Sequence, residues 1–439
     1  MNPSSHKPSF AATISWILYD FANTAFSMNV VSLYFGTWII IHLSQQDAVV
    51  SVANSLSMIF VAVTLPVLGD WADRKGRKIF SLAVFTAFCI AGTAVLGLLG
   101  TVKASVTLIV AAAFVVFIIA NYSYQGGLVF YNSLMPSVST PKNIGRVSGY
   151  GVALGYVGSI AGLVLAGIFV DAELFGIKIK EITAGGAPAA FIPTAALFLV
   201  FALPIFIFVK EPPLPWEKKQ SWKLKDSYKR VIKTLVSTKE HPGLVRFLIA
   251  KLFYEDSIET IIIYMGVYAQ KAVGFSLLET KQFFIALIPS AIVGSAFCGI
   301  MTDHYGSKKV LQAVIGLWIL SLLAIVLTSD RTLFYILGAI VGALMGSTWT
   351  SARPLFITLV PKERLAEFFG LYALSGKVAA IVGPLVWSAT TLALAAFGDV
   401  IKYKAALSAL IVVMIAGFFI LRAVPDYHIE LKKKQSGLP

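Results

Sequence analysis

The sequence predicts an all-α polytopic membrane protein, with twelve transmembrane helices in two six-helix, pseudo-symmetric bundles. Three observations predict it. Apolar runs of about 20 residues, the length that crosses a bilayer as helix, recur along the whole chain. A charged loop, "GDWADRKGRK" at Gly69–Lys78, returns in thinner form as "GIMTDHYGSKK" at Gly299–Lys309, 230 residues later. Lys and Arg gather in alternate loops.

Composition sets the class. Of 439 residues, 57% are hydrophobic and 13% charged, and the mean hydropathy is +0.81. Soluble domains carry about 45–50% apolar and about 25% charged residues, so a soluble fold is excluded. A membrane β-barrel would alternate apolar and polar residues in short segments, and these runs do not.

Span one covers 13–40. It follows the polar start "MNPSSHKPS" and is too long for the apolar part of a cleavable leader, so it is expected to stay. Spans two to six are 49–69, 79–100, 105–130, 147–170 and 188–209. A basic segment from Lys210 to Pro242 follows. Clustered prolines open it and forbid helix there. Leu224, Tyr228, Val231, Ile232 and Leu235 then recur at helical spacing between cations, which predicts an amphipathic helix on the membrane face. Spans seven to twelve are 244–269, 282–301, 309–328, 332–352, 367–396 and 403–424. The expected organisation is an N-terminal bundle (1–209), a cytoplasmic linker (210–242) and a C-terminal bundle with a short basic tail (243–439).

With both termini placed in the cytoplasm, 26 Lys and Arg fall on that side and 8 on the other, while Lys251 and Lys377 lie within spans. That is the positive-inside bias. It accounts for the net charge of +14 through an anionic inner leaflet, without nucleic acid. The short loops suit a bacterial inner membrane, and membrane lipids are the expected surroundings of a monomer.

The two charged loops share their spacing: Gly69, Asp73 and Gly76 match Gly299, Asp303 and Gly306. Each joins the second and third span of its half, as expected of a carrier built from related repeats. Glycine at 69 and 299 lets helices approach. Asp73 and Asp303 can accept from helix N-termini, and Arg77 and Lys78 are expected at the headgroups. The loops resemble the G-x-x-x-D-R-x-G-R-K motif of the major facilitator superfamily. The first copy, with Arg74 and Arg77 in place, matches nearly in full, and the second has His304 where Arg is usual. The resemblance implies a conformational latch and not a substrate site.

Five blocks are similar to one branch of that superfamily: "WILYDFANTAF" (Trp16–Phe26), "LVFYNSLMP" (Leu128–Pro136), "GYGVALGYVGS" (Gly149–Ser159), "FALPIFIFVKEP" (Phe201–Pro212) and "AEFFGLYALSGKVAAIVGPLVW" (Ala366–Trp387). The branch contains the autophagy-related vacuolar amino-acid effluxer and its bacterial relatives. The resemblance implies a secondary transporter working by alternating access, with amino acids favoured among small polar or zwitterionic solutes. Other solutes, such as a sugar, nucleoside or drug, and a lipid or lysolipid cargo are the alternatives.

Enzymatic chemistry is not indicated. The chain lacks G-x-x-x-x-G-K-[ST] and any nucleophile–base set. His6, His42, His241, His304 and His428 are scattered at span ends, which is no metal-binding pattern, and no cofactor is expected. Cys89 and Cys298 lie in apolar runs and read as small core residues.

Ionisable residues within spans are costly and usually serve a cavity or a partner. In span one Trp16, Asp20, Asn23, Ser27 and Tyr34 share about 60 degrees of arc at 100 degrees per residue, a stripe expected to face an aqueous cavity or to pack by hydrogen bonds. In span seven Lys251 and Glu255 are spaced to pair, and Asp256 and Glu259 lie about 20–24 Å along the axis, near mid-membrane. A carboxylate there can carry a coupling proton, bind Na⁺ or hold an amino group, and Lys377 of span eleven is a candidate partner. Tyr19, Asp20 and Asn23 loosely parallel Tyr254, Asp256 and Glu259, with a one-residue shift. Asn121 and Gln125 of span four and Trp349 of span ten are candidate substrate contacts, and Arg353 is a candidate gate or ion-pair partner.

Overall fold

The computed structural model describes residues 8–174, 177–179, 184–211, 223, 225–229, 242–328 and 330–427. Of the linker residues expected to form an amphipathic helix, Leu224, Val231, Ile232 and Leu235 lie outside that description, and residues 225–229 are helical.

The first half begins with α1, Phe10–Phe26, capped by Ser9 Oγ, which accepts from the Ala12 amide at 3.1 Å. Its continuation widens over Ser27–Tyr34 and Thr37–His42, where amides reach back five residues, as from Phe35 to Val30 and from Leu43 to Trp38. Such wide turns are rare and recur at functional sites. Then come α2 (Asp47–Lys75), α3 (Lys78–Leu99), α4 (Val106–Ser133), α5 (Ile144–Asp171) and α6 (Phe191–Phe208). A small antiparallel hairpin, β1 (Glu173–Leu174) and β2 (Ile177–Lys178), follows α5.

The second half holds α7 (Pro242–Lys271), α8 (Leu277–Tyr305), α9 (Ser307–Leu327), α10 (Arg331–Leu359), α11 (Leu365–Ala393) and α12 (Asp399–Arg422). Ser276 and Glu279 close a reciprocal capping box at the start of α8, and Asp330 Oδ1 accepts from Leu333 at 2.7 Å to start α10. Among the described residues, ten helical stretches are long and apolar enough to cross a membrane. Two further long helices are the charged α7 and α11, the latter with an apolar stretch at Val382–Ala393. The protein is an integral, multi-pass membrane protein.

Contacts divide the chain into two compact units. Unit one holds Met1–Thr140, Leu154–Val231 and Glu363–Gly370, and unit two holds Pro141–Ala153, Ile232–Lys362 and Leu371–Pro439. The start of α11 therefore packs with unit one and the start of α5 with unit two, an exchange that the simple six-plus-six division does not contain. Within unit one the packed pairs are α1/α6, α2/α4, α3/α4 and α3/α6. Within unit two they are α7/α12, α8/α10, α9/α10 and α9/α12. Adding six to each helix number of the first set gives the second, so the sequence repeat is a repeat of packing.

Each unit centres on a buried tryptophan whose indole N–H is satisfied. Trp16 Nε1 donates to Tyr131 O at 2.9 Å and its ring stacks on Tyr131 with centroids 4.3 Å apart. Trp318 Nε1 donates to Thr348 Oγ1 at 3.1 Å. In unit one α5 lies against α1 with no room for side chains between them: a Cβ on Gly158 would stand 2.3 Å from Phe21 O, and one on Gly155 2.6 Å from Thr24 Oγ1. Small residues substitute here for the hydrophobic drive that lipid removes. Gly158→Ala is expected to force α5 off α1 and destabilise unit one by about 1–3 kcal/mol, read as a lower thermal unfolding midpoint in detergent than for Gly167→Ala, where a Cβ meets nothing within 4 Å.

Candidate functional site

The conserved-spacing loops build two matching clasps, each inside one unit. In unit one α2 ends at Gly76, whose left-handed backbone (φ 60°) suits glycine. One turn earlier Asp73 is buried. Its Oδ2 accepts the Glu367 amide at the start of α11 at 2.9 Å, and Oδ1 pairs with Lys78 Nζ at 2.8 Å. Lys78 thus turns inward to the aspartate, against its expected place at the headgroups, because a buried carboxylate needs a counter-charge. Arg77 is exposed and lies over the Phe80 ring. Arg74 pairs with Asp70 at 2.9 Å, and Ser227 of the linker donates to the other Asp70 oxygen. A Cβ on Gly69 would stand 2.4 Å from Ala366 O, so glycine is required for the approach that lets Asp73 reach the α11 amide.

Unit two repeats the arrangement. Asp303 near the end of α8 accepts the Gly145 amide at 2.7 Å and the Arg146 amide at 3.1 Å, both at the start of α5, and pairs with Arg146 Nε at 2.8 Å. A Cβ on Gly299 would meet Gly145 O at 2.6 Å. Gly306 (φ 93°) then turns the chain into α9. Arg146, from another helix, stands to Asp303 as Lys78 stands to Asp73. Each aspartate caps a helix start, where unpaired N–H groups and the helix dipole both favour an anion. Beside the first clasp Arg364 holds the buried Glu367 through two hydrogen bonds of 2.8 and 2.5 Å. Burial alone would lower the Arg364 guanidinium, but its bonds and charge pairing with Glu367 hold it above its ordinary value.

The span-seven residues meet α11 along a ladder in unit two. At its lower rung Lys251 Nζ bonds Glu255 Oε2, both buried, and lies 4.1 Å from the centre of the Tyr372 ring. A Cβ on Gly376 would approach both charges, at 3.1 and 3.2 Å. At the middle rung Asp256, 1% exposed, accepts the Gly383 amide on Oδ1 at 2.8 Å. Its Oδ2 and the Thr260 hydroxyl are buried without a hydrogen-bond partner. At the upper rung Tyr264 stacks on Trp387, with centroids 4.9 Å apart and planes 10° from parallel. Glu259 is half-buried and has an interaction partner. The Lys377 side chain lies outside the described residues.

The span-one stripe lies in unit one, with Trp16, Asp20, Asn23 and Tyr34 buried and Ser27 half-buried. Asn23 makes no side-chain hydrogen bond. Asn121 is spent within the unit: its Nδ2 donates to Asn54 Oδ1 at 2.9 Å and Ser57 Oγ at 2.8 Å, tying α4 to α2. Gln125, Trp349 and Arg353 are half-buried, and Ser347 and Ser351 turn their hydroxyls onto backbone carbonyls.

Sequence reasoning missed three partners. Arg146 carried no local signal. The glycines of α5 and α11 were readable, since Gly149-x5-Gly155-x6-Gly162 returns as Gly370-x5-Gly376-x6-Gly383; Gly155 and Gly162 face α1, and Gly376 and Gly383 face α7. Thr260 was readable as well: Asp20-x-x-Asn23-Thr24 returns as Asp256-x-x-Glu259-Thr260, once the tyrosines are left out of register.

A family model described as "Vacuole effluxer Atg22 like" matches residues 41–428. YxiO of Bacillus subtilis (strain 168), an MFS-type transporter, is 26% identical over 440 residues, covering 97% of each chain. The multidrug resistance protein MdtG of Rahnella sp. (strain Y9602) is 23% identical over 389 residues, covering 86% of each. Among solved structures, the major facilitator superfamily transporter FucP in the outward conformation superposes with a TM-score of 0.74 at 12% identity, over 95% of this chain and 99% of that one.

Two outcomes follow from the geometry. Asp303→Ala removes the acceptor from two helix-start amides, so hydrogen exchange at Gly145 and Arg146 is expected to speed up by at least about tenfold, equivalent to the ~1–3 kcal/mol of an unsatisfied buried group; unchanged exchange would show that the clasp does not hold α5. Glu255→Gln strands the Lys251 charge and is expected to cost about 3–5 kcal/mol in unfolding free energy, most of it recovered when Lys251→Met is added, as read from denaturation midpoints.

Proposed function

The chain belongs to the Atg22-like vacuole effluxer family and is a transporter of the major facilitator superfamily, and on that premise we propose that it exports a small zwitterionic solute, an amino acid first, by alternating access driven by an ion gradient. The observation that carries the coupling is the buried carboxylate of Asp256, held at one oxygen by the Gly383 amide and unbonded at the other. An ionisable group within a membrane helix costs several kcal/mol unless it is used. The amino-acid cargo rests on the family. The buried Lys251–Glu255 pair, with the Tyr372 ring beside it, adds both signs of charge and an aromatic wall on the same helix. Opening and resealing the Asp73 and Asp303 clasps would regulate the cycle, with the clasps and both termini on the cytoplasmic side of a bacterial inner membrane and one chain acting alone. In this reading Asp20, Asn23, Gln125, Trp349 and Lys377 would serve as supporting contacts and Arg353 as a gate, while Asn121 holds α4 to α2.

A second reading, export of an apolar drug, has its own support. Unit one contains a cavity of about 720 Å³, lined by Gly97, Leu165, Phe169, Pro188, Ile192 and Phe201 among others. That is within the ordinary size for a small-molecule site.

Counterflow in proteoliposomes separates the readings, because it needs no ion gradient. Exchange of labelled amino acids is expected. Under an imposed gradient, Asp256→Asn should lose accumulation while keeping counterflow within about threefold, the split expected of a coupling residue. Exchange of apolar cations alone would favour the drug reading, and exchange of no panel member would sink the amino-acid cargo.

A further inference from the structure

The cavity in unit one lies at the far end of α3 from the Asp73 clasp. Its walls are the end of α3 (Gly97, Thr101), the last turns of α5 (Leu165, Phe169) and α6 from Ile192 to Phe201. Where α3 meets α6 the chains touch: a Cβ on Gly97 would stand 2.6 Å from Ile192 Cγ1, and one on Gly100 2.3 Å from Pro188 Cβ. Beside that contact α6 presents only Ala196 and Val200, and the gap of about 720 Å³ remains. No residue lining it is charged, and the Thr101 hydroxyl is spent on Leu98 O at 2.8 Å. The gap therefore offers too few partners to hold water or a zwitterionic solute. Left empty, it forfeits the dispersion contacts of its walls. One wall is continuous with the surface that the bilayer covers: Phe169, Ile192 and Val200 are 38, 46 and 61% exposed, and Leu98, Leu199 and Leu203 around them are exposed as well. From Ile192 to Phe201 the helix rises about 14 Å, close to the ~15 Å of hydrocarbon in one leaflet. Cations stand at the mouth. Lys103, two residues past Thr101, and Lys178, on the hairpin after α5, are both exposed. The Ile179 and Gly185 amides bond back to Ala172 O and Phe169 O at 2.8 and 3.0 Å, which holds the hairpin segment to the end of α5. Asp171 is the one acidic side chain described on these two segments.

We propose that this gap is a binding site for one glycerophospholipid of the leaflet opposite the Asp73 clasp, with an acyl chain along α6 between Ile192 and Phe201 and the phosphate at Lys103 and Lys178. The tail fills a space that the side chains of α3, α5 and α6 leave open. A tail alone gains little over its neighbours, because bulk lipid is as apolar as these walls. The preference for this place comes from the phosphate, which two cations at the membrane surface attract. The lipid is then a resident part of the packing of unit one, not a cargo. An apolar drug would take the same walls without needing the lysines, so the headgroup separates the two occupants.

The test is native mass spectrometry of the purified, delipidated full chain titrated with palmitoyl-oleoyl phosphatidylglycerol, and in parallel with the diacylglycerol of the same two chains. Ala196→Phe fills the gap from an exposed position. Leu203→Phe adds bulk on the lipid face outside the lining and serves as control. One phospholipid per chain is expected to bind saturably to the wild type and to Leu203→Phe, and to raise the thermal midpoint of both. Ala196→Phe should shift half-saturation upward by at least about tenfold. Lys103→Ala with Lys178→Ala, and diacylglycerol on the wild type, should each be weaker by about tenfold. The diacylglycerol arm needs no variant to fold. Binding without saturation, equal half-saturation in Ala196→Phe and Leu203→Phe, or diacylglycerol binding as well as the phospholipid would each overturn the site. Displacement of the phospholipid by tetraphenylphosphonium, together with tetraphenylphosphonium exchange in counterflow, would give the gap to cargo and overturn it too.

Discussion

A helix that starts at the edge of a bilayer brings several amide groups without acceptors, and the arrangement of this protein turns on where those amides are satisfied. For α5 and α11 the acceptor is an aspartate from another helix: Asp303 takes the Gly145 and Arg146 amides and Asp73 takes that of Glu367. A carboxylate can reach a helix backbone only if the two helices nearly touch. Gly69 and Gly299 provide the contact, and a single added methyl would collide with main-chain oxygen at 2.4 or 2.6 Å. The charge pattern follows. Lys78 turns inward to Asp73, and the exposed Arg146 pairs with Asp303, because each carboxylate that is taken out of water needs a cation. The first turns of α5 and α11 consequently pack with the unit that supplies their cap.

The same rule, that polar groups in hydrocarbon be satisfied or used, sorts the other polar residues. Asn121 joins Asn54 and Ser57. Trp16 gives its indole N–H to Tyr131. These residues hold the units together. Not every polar atom is satisfied: Asn121 Oδ1, Asp256 Oδ2 and the Thr260 hydroxyl are all buried without a hydrogen-bond partner. Lys251 and Glu255, one turn away, satisfy each other, so the local surplus of acceptor falls on Asp256 and Thr260 alone among those four.

Much of this was legible from residues. Span positions follow from hydropathy, because bilayer thickness dictates helix length. The clasp was legible as Gly, Asp and Gly at repeated spacing, because close approach, capping and a tight turn each select one residue type. Partner identity was not. Nothing near Asp303 in sequence points to Arg146, 157 positions away. The stripe on span one left two readings open, a face on an aqueous cavity or packing by hydrogen bonds, because a helical wheel tells which residues share a face but not what covers it; Trp16 of that stripe stacks on Tyr131 of α4. The wide turns of Ser27–His42 left no mark either, since they arise from packing and contain neither proline nor a charge.

The paired pentads, Asp20 to Thr24 and Asp256 to Thr260, also bear on ancestry. A chain made by duplication begins with two identical devices. The copy in α1 spends its threonine on its own helix, and asparagine stands at 23 where glutamate stands at 259. The scaffold repeats, and the chemistry it carries in the two halves does not.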